Sequence, residues 1–303
     1  MKLIDTTKIS QQTLNDIFSY ADKFANESHC DAFKNIVLGN CVSGPNTDIA
    51  TSFELAFKRM GGDIININTM YSGVQLLAPD KYVLKKMENN SDIIILSHHC
   101  KDFLHNYAAG CNKVLVNCGT SNDDSPTQTL IDLYTIRQHF NYETTKINVL
   151  FVGNGNDNHS TQALIDILKK YENISIDYLP YYVGEISPDS SVTEYANVDK
   201  YDVVYFTRLQ NERNDINEPY MLTSSIVNKM KKTGIVLYLS HQNEDVYHSL
   251  DKSMQSSHCV QMKHSIYIRM AVLYCLYFKR LDNTFDTLEY NYRAQLQSAI
   301  HSW

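Results

Sequence analysis

The chain has no surplus of positive charge, no closely paired cysteines, no long apolar run and no internal repeat, and each absence removes a class of function. A formal net charge of -7 gives no basic field for wrapping nucleic acid. The clusters Lys85-Lys86, Lys169-Lys170 and Lys229/Lys231/Lys232 read as solvated helix faces. Seven cysteines are present without a single C-x-x-C pair. No apolar stretch approaches the roughly 18 residues that cross a bilayer. Even residues 266–278 are short and carry Arg269. The opening MKLID has no apolar signal core. The expected setting is therefore cytoplasmic, with reduced and mostly buried thiols, no membrane and no nucleic acid among the partners.

What the chain does have is enough length, at 303 residues, to bury a sizeable core in two subdomains. Apolar residues at helical spacing (Leu14, Ile17, Phe18, Ala21, Phe24) predict a helix over 11–26. Short apolar strands follow at 35–40, 63–67, 93–96 and 114–117, alternating with helices at about 51–60, 79–89 and 101–109. A helix over 127–140 leads into a second series with strands at 148–152, 174–179, 203–207 and 235–239. The helices expected there cover 160–170, 224–231 and 243–250, and a long buried one covers 264–281. Strand–helix–strand alternation of this kind predicts an α/β protein of two subdomains, each a parallel sheet flanked by helices. Ligands of open α/β sheets bind beyond the carboxyl ends of the strands. That directs attention to loops 41–51, 97–100, 118–128, 153–160, 207–213 and 239–245.

One of these loops is built like an anion cradle. Residues 44–63 read as a turn opening into an amphipathic helix, and backbone N–H groups with the helix dipole make such an N-terminus suited to phosphate. Yet the turn carries Asp48 and Ala50 and no basic residue. An acid at a helix start is a good cap and a poor anion receptor.

Taken in order, these loops resemble the aspartate carbamoyltransferase family along about nine-tenths of the chain. The markers are TSFELAFKRMG at 51–61, SPTQTLIDLYTI at 125–136 and YFTRLQNER at 205–213. The Arg-x-Gln of the last is similar to the aspartate-binding signature. The resemblance implies a carbamoyl-phosphate-type domain over 1–140, joined by a C-terminal helix over 283–303, and an amino-acid-binding domain over 141–282. It also implies a homotrimer with each site near a subunit boundary, Ser72 reaching across from a neighbour, and no cofactor. Where the family has Ser-Thr-Arg-Thr-Arg-Thr, this chain has Asn46, Thr47, Asp48, Ile49, Ala50 and Thr51. An expected arginine is Ser97 and an expected histidine is Ser125. A second arginine is His159, and a neighbour's lysine falls near Leu76. Residues 238–241 lack both prolines of the family's His-Pro-Leu-Pro turn. Retained in matching places are Thr47, Gln128, Arg208 and Gln210.

The candidate catalytic residues are thus Thr47, Ser125 and Gln128. The candidate substrate-binding residues are Arg208, Gln210, His159, His98 and Ser72. Ser125 also reads as the N-cap of the helix after it, and a nucleophilic role there needs a nearby base. His98, His99 and Cys100 stand together, but adjacent side chains diverge on a strand, so no metal site is assigned. Residues 153–159 imitate a nucleotide loop but lack the third glycine, and read as a tight strand-to-helix turn. Asp123 and Asp124 read as a solvated loop. The function expected is a diverged transferase acting on an aspartate-like amino acid, its phosphate half dismantled. The alternatives are a non-catalytic paralogue that binds a ligand or serves assembly, and an aspartate carbamoyltransferase of pyrimidine synthesis with an atypical site.

Overall fold

A computed structural model describes residues 1–6, 9–27, 29–42, 47–67, 81–119, 125–141, 145–153, 159–179, 195–207, 228–238 and 257–279. The chain divides into two units. One holds residues 1–127 with the chain from His264, and the other holds residues 128–263.

The first unit is built on a parallel sheet of β1 (Lys2–Leu3), β2 (Val37–Cys41), β3 (Asp63–Asn66), β4 (Ile93–Leu96) and β5 (Val114–Asn117). Their spatial order is β1-β5-β4-β2-β3. Every residue of β4 is buried, as a parallel strand covered on both faces requires. Helix α1 (Gln11–Asn26) buries the apolar stripe read from its sequence, and its N-cap Ser10 accepts from the Thr13 N–H at 3.1 Å. Helices α2 (Thr47–Arg59), α3 (Lys81–Asn90) and α4 (Lys101–Gly110) complete the alternation. Helix α2 begins four residues earlier than the hydrophobic pattern indicates. Polar residues such as Thr47 and Asp48 are at home in a first turn, where acids suit the dipole, so periodicity alone misses them.

The second unit has a parallel sheet of β6 (Ile147–Val152), β7 (Ile174–Leu179), β8 (Val203–Phe206) and β9 (Ile235–Tyr238), in the order β7-β6-β8-β9. Helices α5 (Pro126–His139) and α6 (His159–Leu168) accompany it. A short helical turn at Tyr195–Lys200 is not visible in the hydrophobic pattern. Of the helix expected over 224–231, residues 228–231 are turn rather than helix, with Gly234 N–H closing on the Lys231 carbonyl. Residues 224–227, and the helix expected over 243–250, lie outside the described residues.

Helix α7 (His258–Tyr274) starts six residues before the expected 264 and ends in a wider turn at Cys275–Lys279. Ser257 stands just before it, its carbonyl accepting from Gln261 N–H at 2.7 Å. The units part at 127/128 and 263/264, whereas the sequence reading parts the domains at 140/141 and 282/283. Packing accounts for this division. Asp132 of α5 bonds Tyr205 and Gln261 in the second unit. Arg269 and Tyr274 of α7 meet Ser52, Phe53, Tyr20 and Phe24 in the first. Among the described residues no helix is long and apolar enough to cross a membrane.

The thiols sort by burial. Burial pushes Cys41 and Cys118 up to about 12, so both stay protonated at neutral pH, whereas Cys100 and Cys259 are exposed. A disulfide reagent at pH 8 is expected to label Cys100 and Cys259 within seconds to minutes, and Cys41 and Cys118 only on unfolding. Peptide mapping of the labelled protein checks this.

Candidate functional site

Strand order locates a crevice in each unit. In the first, the chain leaves β2 toward β3 on one side and returns through β4 on the other. The connections therefore part between β2 and β4, which is the switch point where open α/β sheets bind ligands. Cys41, Leu96 and Asn117 lie in register at the carboxyl ends of β2, β4 and β5. The segment opening α2 at Thr47, the Ser97–Cys100 turn and the approach to Ser125 thus leave from one edge. In the second unit the connections part between β6 and β8, where Val152 and Phe206 are paired. The segments leading to His159 and to Arg208 leave there.

At the first edge, two buried asparagines that sequence reasoning passed over shape the strand ends. Asn40 accepts from Val42 N–H at 3.1 Å and donates to Glu54 of α2 at 3.0 Å. Asn117 accepts from Gly119 N–H at 2.9 Å and donates to the Ile4 carbonyl at 2.9 Å. Gly119 has φ of 131°, a conformation that favours glycine. Thr47 is the first residue of α2, with Asp48 and Ala50 in the same turn. The side chains of Thr47 and Asp48 lie outside the described residues. Ser97 is buried, its N–H bonded to the Cys41 carbonyl at 3.3 Å.

His98 is also buried. Its Nδ1 lies 3.0 Å from the Cys100 N–H and 3.2 Å from the Cys100 carbonyl, so the ring tautomer sets whether it accepts from the one or donates to the other. Burial holds this imidazole below its usual range, with His99 adding to the effect and the Cys100 backbone opposing it. The rings of His98 and His99 do not diverge as expected but stack at 4.6 Å, and Phe103 covers His98 at 4.0 Å. The cause is local: β4 ends at Leu96, so strand alternation no longer governs residues 98 and 99. Among the described residues no group of three or more His, Cys, Asp or Glu side chains is placed to hold a metal.

Ser125 occupies the position before Pro126, the first residue of α5, and its hydroxyl lies 3.3 Å from that of Thr127. That is the N-cap position, with proline at the first helical position. In the first unit a buried guanidinium also reaches α2. Arg269 bonds the Ser52 hydroxyl and lies 4.9 Å over the Phe53 ring, while Ser52 donates to the Ile49 carbonyl at 2.9 Å. Within a mostly apolar helix, Arg269 was legible only as an interruption.

The sequence carries this family pattern over most of its length. The family model described as "Aspartate/ornithine carbamoyltransferase, carbamoyl-P binding domain" matches residues 1–138. The catalytic subunit of aspartate carbamoyltransferase from Picrophilus torridus is 26% identical over 294 residues, covering 89% of this chain and 96% of that protein. Over most of its length the chain is thus similar to aspartate carbamoyltransferase catalytic subunits, and residues 1–138 match the family's carbamoyl-phosphate-binding domain. The catalytic subunit from Thermoplasma acidophilum is 28% identical over 287 residues, covering 86% of this chain and 93% of its own. In fold, the chain is similar to the aspartate transcarbamoylase of Trypanosoma cruzi crystallised with aspartate and phosphate. The TM-score is 0.76 at 17% identity, covering 90% of this chain and 95% of that one.

In this carbamoyltransferase fold the second unit holds a residue that the motifs did not single out. Asp132 of α5 is 1% exposed and receives three hydrogen bonds. Gln128 and Gln261 donate to Oδ1, both at 2.8 Å, and Tyr205 donates to Oδ2 at 2.7 Å. Burial raises its carboxyl from 3.8 to about 7 against the lowering effect of these donors. The available signal was an acid on a buried helix face, four residues after Gln128. His159 is the first residue of α6, but its side chain lies outside the described residues, as do Ser72, Arg208 and Gln210 altogether.

The raised carboxyl has a consequence for stability. Its folded value lies above the unfolded one, so the native protein binds the extra proton and the contribution is complete below about pH 4. That contribution is lost as pH rises through about 7. The urea midpoint of the wild type is expected to fall between pH 5 and pH 8 relative to that of Asp132→Asn. Parallel curves for the two proteins would remove the assignment.

Proposed function

We propose that this chain is a diverged aspartate carbamoyltransferase-type transferase. In this reading it binds an aspartate-like amino acid through Arg208, Gln210 and His159, and it does not hold carbamoyl phosphate through the family's guanidinium contacts. The observation that carries the proposal is the start of α2 at the switch point of the first sheet, with Asp48 and Ala50 in the first turn. A phosphate dianion there meets a carboxylate instead of bidentate donors, a repulsion of about a few kcal/mol at intermediate dielectric. Backbone N–H groups and the dipole still favour a weakly charged or neutral acyl group at that spot. Thr47, Ser125 and Gln128 would then orient the donor, with catalysis by positioning and electrostatic stabilisation. His98, buried at the same edge, is a further candidate to hydrogen-bond the donor.

The assembly is a cytoplasmic homotrimer in which Ser72 enters a neighbour's site. The reading is tested by titrating the protein calorimetrically with L-aspartate and with carbamoyl phosphate, and by assaying turnover. Aspartate binding lost in Arg208→Ala, with carbamoyl phosphate binding no tighter than millimolar, is the expected result. Tight carbamoyl phosphate binding with turnover would establish ordinary aspartate carbamoylation instead. Aspartate binding with no acyl transfer from any acyl phosphate would establish the non-catalytic paralogue.

A further inference from the structure

We propose that Asp132 is a positioning residue that sets the carboxamide of Gln128 and ties it to the carboxyl end of strand β8 through Tyr205. The inference rests on the reading above only in taking Gln128 as a ligand-facing group. Within the second unit the geometry stands by itself.

When ionised, Asp132 accepts and cannot donate, so the Gln128 group turned toward it is then the NH2. The Gln128 Oε1 is therefore turned away from the buried acid, and this half-buried side chain presents one acceptor and one remaining N–H in a defined order. An isolated glutamine can present its amide either way round. One fixed by an acceptor-only partner at 2.8 Å cannot flip without losing a charge-assisted bond.

The same carboxylate is shared across elements. Tyr205 of β8 donates to Oδ2, and Arg208 follows only three residues later in sequence. Gln261 of α7 donates to Oδ1, and its own amide is fixed to Tyr238 of β9. Its Oε1 accepts from the Tyr238 N–H at 3.2 Å, and its Nε2 donates to the Tyr238 carbonyl at 3.0 Å. Asp132 thus gathers the start of α5 and the carboxyl ends of β8 and β9 at one point. The groups that meet it are neutral donors: a phenol from β8, an amide from α7 and an amide from its own helix. Their preference for the ionised acid makes the orientation of Gln128 depend on the charge of Asp132, and the elevation toward 7 places that change near neutrality. A side chain that merely filled space on α5 would need none of these bonds. Leucine or valine would serve there, as at the buried neighbours Leu130 and Leu133.

The test reads the side-chain NH2 resonances of Gln128 by 15N NMR of the full chain between pH 5 and pH 9. They are expected to show one inflection near neutrality. Asp132→Asn abolishes it. Tyr205→Phe, which removes one donor to the ionised form and keeps the ring, moves it upward by about one unit. Tyr205→Phe is the variant that keeps the experiment decisive if Asp132→Asn does not fold. An inflection-free Gln128 signal in the wild type, or one unmoved in Tyr205→Phe, overturns the proposal. Calorimetry with L-aspartate and carbamoyl phosphate runs alongside. Absence of binding by the wild type counts against the proposed function alone, because the NMR readout needs no ligand.

Discussion

Asp48→Arg combined with Ala50→Arg is expected to raise the affinity for carbamoyl phosphate by about a hundredfold or more. The double substitution removes one carboxylate and adds two guanidinium groups in the first turn of α2. Each charge-assisted contact to phosphate is worth about 1.5–3 kcal/mol, so two good contacts exceed two decades. The dipole of a helix that begins at Thr47 adds in the same direction. Adding Ser97→Arg extends the series, because Ser97 leaves β4 at the same edge in register with the end of β2. Ser97 is buried, however, so its arginine has to displace neighbours and its gain is smaller than its charge implies. Isothermal titration of the wild type, the double and the triple variant measures the series. The reading of Asp48 and Ala50 as the cause of weak phosphate binding fails if the double variant binds no more tightly than wild type.

Phe57→Ala is expected to destabilise the first unit by about 3–5 kcal/mol. Phe57 lies on the inner face of α2 and is fully buried. Its ring stacks on Phe33 at 4.7 Å, and Phe33 in turn meets Tyr277 edge-on at 5.6 Å and stacks on Phe278 at 5.3 Å. Removing the ring leaves a cavity bounded by α2, the segment before β2 and the end of the C-terminal helix. Gly62 already abuts the ring, since a Cβ there would lie 2.1 Å from a Phe57 carbon. The backbone of the following turn is thus moulded on this side chain and has no spare group to fill the gap. Urea unfolding followed by circular dichroism gives the change, and a loss below about 1 kcal/mol would show that the cluster repacks. Helix α2 also begins the candidate site. The same variant should therefore weaken anion binding in the double-arginine background without touching any ligand.

The elements were legible where burial leaves a periodic trace. The stripe of α1 and the four buried residues of β4 are set by which side chains face water, and that pattern is local. The starts of α2 and α7 were not legible, because the first turns are polar and their reasons lie elsewhere. Gln261 looks like a surface residue until Tyr238 and Asp132 are placed against it. Arg269 looks like a break in an apolar helix until Ser52 and Phe53 are beneath it. Site motifs fared in the same way. The sequence carries the residues at 48, 50 and 125 plainly, since 48 and 50 lie just before the 51–61 run and 125 opens the next.

By itself, then, the sequence determined the α/β alternation, the family resemblance and which residues open helix α2, because these depend on residue type and near neighbours. The order of the strands was decided only in the tertiary structure. So were the two switch points that bring distant turns to one edge and the charge environment of Asp132. The physical reason is that strand pairing and desolvation depend on contacts between residues far apart in the chain. The bond from Tyr205 to Asp132 spans 73 positions, and no local pattern records it.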